Sequence, residues 1–550
     1  MQFREIAKVL GNYLLFFCLV LIVPTLLALY HQFIQNPELH PKPYSTGSFF
    51  LTILITLALA MILKLFGKKG SGRLFRREAI AAVVIVWFLS SILGALPFFL
   101  SGTLKNPCQA YFQGVSGFTT TGASVMEAKK YNLVTGEEIP IETLFVGLED
   151  VSYKYYGTIE PVRDEGSGKI LYEGIEAVSP ALLFWSSLMQ WLGGGGIMVL
   201  FVAILPALGV GGKVLLQSEV TGPIKDSLTP RIKETAIQLW KIYLSLSIIE
   251  VILLMVTNRA MNLFDAICIT FSTISTGGFV TTPGNIGYWQ NSNTEWIIIL
   301  FMICGSINFS LYFFCIKGKF YKLYDIEFIL LILISTGISL FAAYQLIGQP
   351  QVLLDGAIAP NYTFTEALRT GAFQLISAMT STGFSTANYE TWPYEIQTLM
   401  LIVMYVGGMS GSTAGGLKII RHIVLFKVSQ TKVEILFRPE TVRHIKVSGK
   451  EIDTSMAINV LCYFFLAIAI SVLGTFIYLL DGIDPETSIG LMSCMINNTG
   501  IAFRQAGAMH SFAFLSDTSC ILSSFWMLLG RLEFFAILVL LIPAFWKEES

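Results

Sequence analysis

Ten stretches of this 550-residue chain are apolar over roughly the twenty residues a helix needs to cross a bilayer. They are residues 10–30, 48–67, 78–100, 180–210, 236–258, 294–320, 324–348, 395–426, 455–480 and 519–545. In hydrocarbon every backbone N–H and C=O must find its partner within the protein, so spans of this kind are helices. The sequence therefore predicts an all-α integral membrane protein with ten transmembrane helices. Only 13% of its residues are charged and the mean hydropathy is +0.66, about half the charge of an ordinary soluble chain. The net charge of −1 gives no basic surface for nucleic acid. Eight Cys lie mostly inside apolar runs without C-x-x-C spacing, and five His are scattered, so neither a disulfide framework nor a metal-ligand set is expected. The first apolar run has the length of a span and no small-residue cleavage site follows it, which reads as a membrane helix rather than a signal peptide.

Lys and Arg collect in alternate loops. Lys68, Lys69, Arg73, Arg76 and Arg77 follow the second run, and Lys213, Lys225, Arg231 and Lys233 follow the fourth. Lys317, Lys319 and Lys322 follow the sixth. Lys427, Lys432, Arg438, Arg443, Lys446 and Lys450 follow the eighth. Basic loops stay in the cytoplasm, so both termini are expected there.

Between the runs, on the opposite side, a short polar signature recurs. "GFTTTGAS" holds Thr120, Thr121 and Gly122; "TISTGGF" holds Thr276 and Gly277; "MTSTGF" holds Thr382 and Gly383; "INNTGIA" holds Asn498, Thr499 and Gly500. Each follows an apolar run of roughly twelve residues, too short to cross. Gly277 to Gly383 spans 106 residues and Gly383 to Gly500 spans 117, whereas Gly122 to Gly277 spans 155. One acidic stretch, Glu127 to Glu176, accounts for the excess. A unit copied at this period indicates four helix–loop–helix repeats around one axis. Four ordinary external turns with left-handed glycines are the bland reading, but turns need no short apolar run before them.

The physics gives such loops a use. Non-helical backbone survives at membrane depth only where it lines a cavity. A short re-entrant helix aims the negative end of its dipole inward, and glycine keeps side chains out of the lumen. A ring of backbone carbonyls replaces the hydration shell of a cation. Thr121, Thr276, Thr382 and Thr499 are the residues expected to present oxygen to a bound cation.

With these loops the chain resembles the TrkH/KtrB family of bacterial potassium transport proteins, within the wider superfamily of potassium transporters. "WLGGGGIMVL" (191–200), "PRIKETAIQLWKIY" (230–243), "GGMSGSTAGGLKIIR" (407–421) and "GRLEFF" (530–535) carry the resemblance across essentially the whole chain. Two extra helices before the first repeat look like the TrkH type. The resemblance implies one pore per subunit, a homodimer, and a cytosolic ring of TrkA-like nucleotide-binding subunits beneath it. The chain departs from the family in Gly500-Ile501-Ala502, where Pro and Gly are common, in the length of the 127–176 insert, and in Asn497 and Asn498.

The eighth run is interrupted by Gly407, Gly408, Ser410, Gly411, Ser412, Thr413, Gly415 and Gly416. This density of Gly and Ser unwinds a helix, and broken helices belong at ion pathways. As a phosphate-binding loop the segment fails: Lys418 is one residue late, no Ser or Thr follows it and no strand precedes it. Close packing through small residues is the plain alternative. The expected role is a mobile loop that blocks the pore, with Lys418 and Arg421 at its inner end. Arg531 falls near the middle of the last run, where an arginine marks a functional site by default. In the family the matching arginine projects into the pore. Glu533, two residues on, should face elsewhere on a helix. Glu250 is also buried in a span and is expected to pair with a polar neighbour.

The expected divisions are 1–70 (two extra helices), 71–212, 213–322, 323–450 with the intramembrane loop 407–416, and 451–550. The function expected is gated, moderately selective potassium uptake across a bacterial inner membrane, driven by the membrane potential. The rivals are a sodium-permeable or proton- or sodium-coupled symporter on the same scaffold, a membrane enzyme, and a non-conducting sensor or scaffold. Gly122 argues against sodium, since serine there favours it by family analogy. No cluster of His, Asp or Glu supports an enzyme.

Overall fold

The computed structural model describes residues 2–35, 44–68, 70, 76–132, 135–145, 151–164, 166–196, 232–354, 356–438, 446–447, 450–452 and 454–547. Helices dominate. The long helices α1 (Phe3–Phe33) and α2 (Thr46–Gly67) pack on each other and on α3 (Arg76–Leu100). A short helix, α4 (Pro107–Phe118), and then α5 (Pro180–Trp191) follow α3. Next come α6 (Ile232–Thr257), the short α7 (Leu263–Ile274), α8 (Ser292–Ser306) and α9 (Phe309–Ile316). Then come α10 (Ile326–Leu346), the short α11 (Phe364–Met379), α12 (Tyr394–Val406) and α13 (Ile419–Phe437). The chain ends with α14 (Thr454–Leu480), the short α15 (Pro485–Asn497), α16 (Asp517–Arg531), α17 (Phe535–Leu540) and α18 (Pro543–Trp546).

The short helices α4, α7, α11 and α15 have well-made starts. Asn106, Asn262 and Asp484 accept the backbone N–H of Cys108, Asp265 and Thr487, and Thr363 with Glu366 forms a reciprocal capping box. Their packing is cyclic: α5 touches α4 and α7, α8 touches α7 and α11, α12 touches α11 and α15, and α16 touches α15 and α4.

Six helices among the described residues are long and apolar enough to cross a membrane, and a seventh results if α8 and α9 are joined across their 95° bend. Three of the predicted runs differ from a single helix. Residues 294–320 bend where Asn308 caps the N–H of Ser310 at 2.8 Å and starts a new helix. Residues 395–426 stop at Val406 and resume at Ile419. Residues 519–545 stop at Arg531, because Glu533 and Phe534 take φ of +57° and +30°. The second half of the fourth run, 197–210, and the loop with Lys213, Lys225 and Arg231 lie outside the described residues. Exposed apolar side chains such as Leu65, Phe66, Ile252, Phe465 and Leu473 line the outward faces of the long helices, the kind of surface lipid covers.

The insert folds into small antiparallel hairpins, one pairing Ile141–Phe145 with Val151–Tyr155. It is docked rather than free: the Thr143 hydroxyl donates to Gln505 at 2.6 Å, and the Tyr153 hydroxyl donates to the capping Asp484 at 2.5 Å. Three of its acids are in ion pairs: Glu160 with Lys129 and with Lys105 just before α4, Glu138 with Lys129, and Glu142 with Lys154. Burial pushes the Glu160 carboxyl up, but the Tyr131 hydroxyl and the two lysines outweigh it and hold it at about 2.

Trp185 anchors the packing of α5. It is fully buried, meets the rings of Phe17, Phe49 and Phe118, and donates its indole N–H to Gly94 at 3.0 Å. Trp185→Ala leaves a void and removes the indole hydrogen bond, a loss on the order of 3–5 kcal/mol. The expected result is a lower melting temperature in detergent; an unchanged one would show that the cluster does not hold the bundle.

Candidate functional site

Each short helix ends in the same left-handed turn. After α4, Thr120 takes φ +55°; after α7, Thr276 takes +54°; after α11, Ser381 takes +57°; after α15, Asn498 takes +53°. In each turn the next residue donates its N–H five residues back: Thr121 to Ser116, Gly277 to Ser272, Thr382 to Ser377 and Thr499 to Cys494, at 2.7–3.0 Å. This is the Schellman closure, but three of the four left-handed residues are Thr or Ser. Holding a residue other than glycine there stores strain of about 1–3 kcal/mol, most for the β-branched Thr120 and Thr276, a mark of positions kept for more than turning the chain.

A second positive φ follows two residues later, at Gly122 (+80°), Gly278 (+85°), Gly383 (+83°) and Gly500 (+76°). The equivalent residue in the second turn is therefore Gly278, one place beyond the expected Gly277. By the same register Gly277, not Thr276, stands where Thr121, Thr382 and Thr499 stand. The reason is local: "TGG" offers two glycines, and only the second takes the left-handed conformation.

The four glycines touch one another's turns in closed order. A Cβ on Gly122 would lie 2.0 Å from the Gly277 carbonyl oxygen, and one on Gly278 would lie 2.0 Å from that of Thr382. A Cβ on Gly383 would lie 2.2 Å from the Thr499 oxygen, and one on Gly500 would lie 2.2 Å from the Thr121 oxygen. No side chain fits at any of them. Hydroxyl pairs brace two turns, Thr119 with Thr121 and Thr380 with Thr382, each at 2.8 Å. Asn498 donates to the Thr121 hydroxyl and to the Met527 carbonyl, both at 2.9 Å, which ties the fourth turn to the first.

The irregular segment 407–418 lies against these turns. Thr413 donates to the Ile274 and Gly305 carbonyls at 2.9 Å, the Gly415 N–H donates to the Ser381 hydroxyl at 2.5 Å, and the Gly416 N–H donates to the Asn497 carbonyl at 3.2 Å. Gly407, Gly411, Gly416 and Lys418 take φ between +71° and +76°, which breaks the helix. Gly408 and Gly415 leave no room for a Cβ against Ala414 and Asn497. The Ser410 N–H and Ile420 N–H both donate to one oxygen of Glu327, at 2.7 and 3.3 Å, while Ser412 bonds back to Met409.

Arg531 is the last residue of α16 rather than an interior residue of a longer helix. It donates to the Thr413 carbonyl and to the Gly193 carbonyl, both at 2.9 Å. Gly193 belongs to the π-helical turn Leu192–Gly196, where a Cβ would lie 1.9 Å from the Phe118 carbonyl oxygen. The glycine run is thus a close approach to the end of α4. The break at residues 532–534 turns Glu533 away from Arg531 and toward Arg421, which it meets at 2.7 Å. Arg421 lies over the Tyr463 ring at 3.9 Å. Lys418 donates to the Ala414 carbonyl. A cavity of about 90 Å³ lies between the turns and this loop, lined by Gly193, Gly415, Lys418, Asn498 and Arg531.

Glu250 is fully buried with the Thr273 hydroxyl as its polar neighbour, a hydroxyl that also lies 2.8 Å from the Ile269 carbonyl and donates to it. Among the described residues no group of His, Cys, Asp and Glu could hold a metal. Glu327, Glu533 as a partner of Arg421, and Gln190 were not legible as site residues. Each is a lone polar residue in an apolar run, a signal without a visible partner.

Comparison with known proteins places the chain in a family. The TrkH family, described as cation transport protein, matches residues 165–548. The Trk system potassium uptake protein TrkH of Halomonas elongata is 30% identical, with the whole of both chains covered. The protein of that name from Escherichia coli strain K12 is also 30% identical over the whole of both chains. The crystal structure of the potassium transporter TrkH from Vibrio parahaemolyticus superposes with a TM-score of 0.77 at 28% identity, again over all of both chains. By sequence and by fold this chain belongs to the TrkH family of cation transport proteins.

Proposed function

We propose that the chain takes up potassium through a gated, moderately selective pore in a bacterial inner membrane. The observation that carries this reading is the closed order of four carbonyls, Thr121, Gly277, Thr382 and Thr499, each packed on a glycine that admits no side chain. Backbone carbonyls are oxygen donors suited to a desolvated potassium ion. The family is one of transporters, not enzymes, and the relatives bear the name of potassium uptake proteins. On this reading residues 71–212, 213–322, 323–450 and 451–550 are four units around one axis and 1–70 adds two helices. The membrane potential, worth about 2.3 kcal/mol per charge per 100 mV, drives entry. The loop 407–416 with Lys418, Arg421 and Arg531 is the gate. Both termini face the cytoplasm, a homodimer carries two pores, and a TrkA-like nucleotide-binding ring acts on the loop from below.

The test is cation flux in proteoliposomes of the purified protein, first under a potassium gradient and then under a sodium gradient. Faster potassium flux, lost in Gly383→Asp, is expected. Equal fluxes of the two ions would overturn selective uptake, and flux that survives Gly383→Asp would overturn the ring as its path.

A further inference from the structure

The second turn stands apart from the other three at the ring carbonyl. Three present a threonine at the ring carbonyl, Thr121, Thr382 and Thr499, and the second presents Gly277. The space that side chain would fill is taken: a Cβ on Gly277 would lie 2.4 Å from Cδ of Gln190 and 2.6 Å from its Oε1. Gln190 comes from α5, one turn before the glycine run, and is fully buried. Its Nε2 donates to the Gly277 carbonyl at 2.7 Å and its Oε1 accepts the Phe279 N–H at 3.1 Å. The one side-chain amide therefore spans Gly278 from both sides.

The second turn also lacks the brace that the first and third have. There the Thr119–Thr121 and Thr380–Thr382 hydroxyls pair, whereas the Thr276 hydroxyl turns back to the Ser275 carbonyl. Two other buried glutamines, Gln113 and Gln374, bond beyond the turns, to Ser124 and Val125 and to the Phe384 carbonyl. Among the described residues Gln190 is the glutamine that reaches a ring carbonyl.

We propose that Gln190 is a specificity-determining positioning residue: its amide replaces the missing threonine of the second turn and fixes the Gly277 carbonyl for potassium. The inference rests on the reading of the ring as the ion path. A carbonyl oxygen has two lone pairs. The amide takes one and pins the oxygen, which leaves the other for the ion. A pinned carbonyl cannot follow a smaller ion inward. Without the amide the second quarter of the ring closes on sodium as readily as on potassium.

The experiment measures the potassium-to-sodium permeability ratio in proteoliposomes for Gln190→Met, Gly277→Thr, the double variant Gln190→Ala/Gly277→Thr, and Gly383→Ser. Methionine keeps the volume and removes both hydrogen bonds, and a fall in the ratio of about fivefold is expected, the worth of one such bond. Gly277→Thr alone collides with Gln190 and is expected to lose flux. The double variant restores the threonine of the other turns in the space the amide leaves, and is expected to recover both flux and a ratio within about twofold of the parent. This recovery carries the test even if Gln190→Met does not fold. An unchanged ratio in Gln190→Met, or a double variant no better than Gly277→Thr, overturns the assignment. Gly383→Ser separates the two levels. If it shifts the ratio while the Gln190 variants do not, only the role of Gln190 falls. If it too is silent, the ring is not the ion path and both readings fall.

Discussion

Alanine at Gly278 is expected to abolish potassium flux, while alanine at Gly277 is expected to reduce it only partly. The two residues are adjacent, yet their surroundings differ in kind. Gly278 has φ +85°, a conformation that L side chains rarely adopt, and its Cβ would lie 2.0 Å from the Thr382 carbonyl oxygen. That neighbour is backbone and cannot yield without carrying the third turn away from its place. Because each glycine rests on the next carbonyl in closed order, a shift at one joint disturbs the ring. Strain and lost coordination of about 2–3 kcal/mol correspond to a loss on the order of a hundredfold. Gly277 has no positive φ, and what a Cβ there would meet is the Gln190 side chain rather than backbone, so the cost falls on that side chain and its hydrogen bonds and not on the neighbouring turn. Uptake assays on both variants, at matched amounts of folded protein, decide the matter. If Gly277→Ala proves the more damaging, the register of the second turn given by the backbone is not the functional one.

That register shows where sequence reasoning stops. The long apolar runs announced α1, α2, α3, α6, α10 and α14, because length and hydropathy alone decide a lipid-facing helix. The Thr-Gly pattern found the first, third and fourth turns in register. It misplaced the second because Gly277 and Gly278 are chemically identical, and only the path of the chain decides which one bends left. The break after Arg531 was hidden for a different reason. Leu532, Glu533 and Phe534 contain neither Gly nor Pro, so nothing local ends the helix. Tertiary contacts do: Phe534 packs on the Tyr463 ring with centroids 4.7 Å apart, and Glu533 reaches Arg421. Gln190 and Glu327 were visible as polar residues in greasy surroundings. The carbonyl and N–H groups they serve are distant in the chain, and only the fold brings them together.

Freeing the loop 407–418 at its central anchor should raise flux in the absence of any partner subunit. The anchor is Arg531, whose fork joins the Thr413 carbonyl of the loop to the Gly193 carbonyl beneath the first turn. Arg531→Ala removes two charge-assisted hydrogen bonds, each worth about 1.5–3 kcal/mol, so the closed position weakens by a tenfold factor or more. It also removes a positive charge beside the cavity under the ring. Arg531→Lys separates the two effects, since lysine keeps the charge but cannot bridge both carbonyls as a planar fork does. If Arg531 acts as a tether, lysine behaves like alanine; if it acts as a charge that repels the cation, lysine behaves like the parent. A second anchor allows an independent check. Glu327 holds the Ser410 N–H within the loop and the Ile420 N–H just after it and does not line the cavity, so Glu327→Gln weakens the hold while leaving Arg531 and its charge in place. A tether mechanism requires Glu327→Gln to raise flux in the same direction as Arg531→Ala. Unchanged flux in both variants, with the ring intact by its response to Gly278→Ala, would mean that the loop does not close the path.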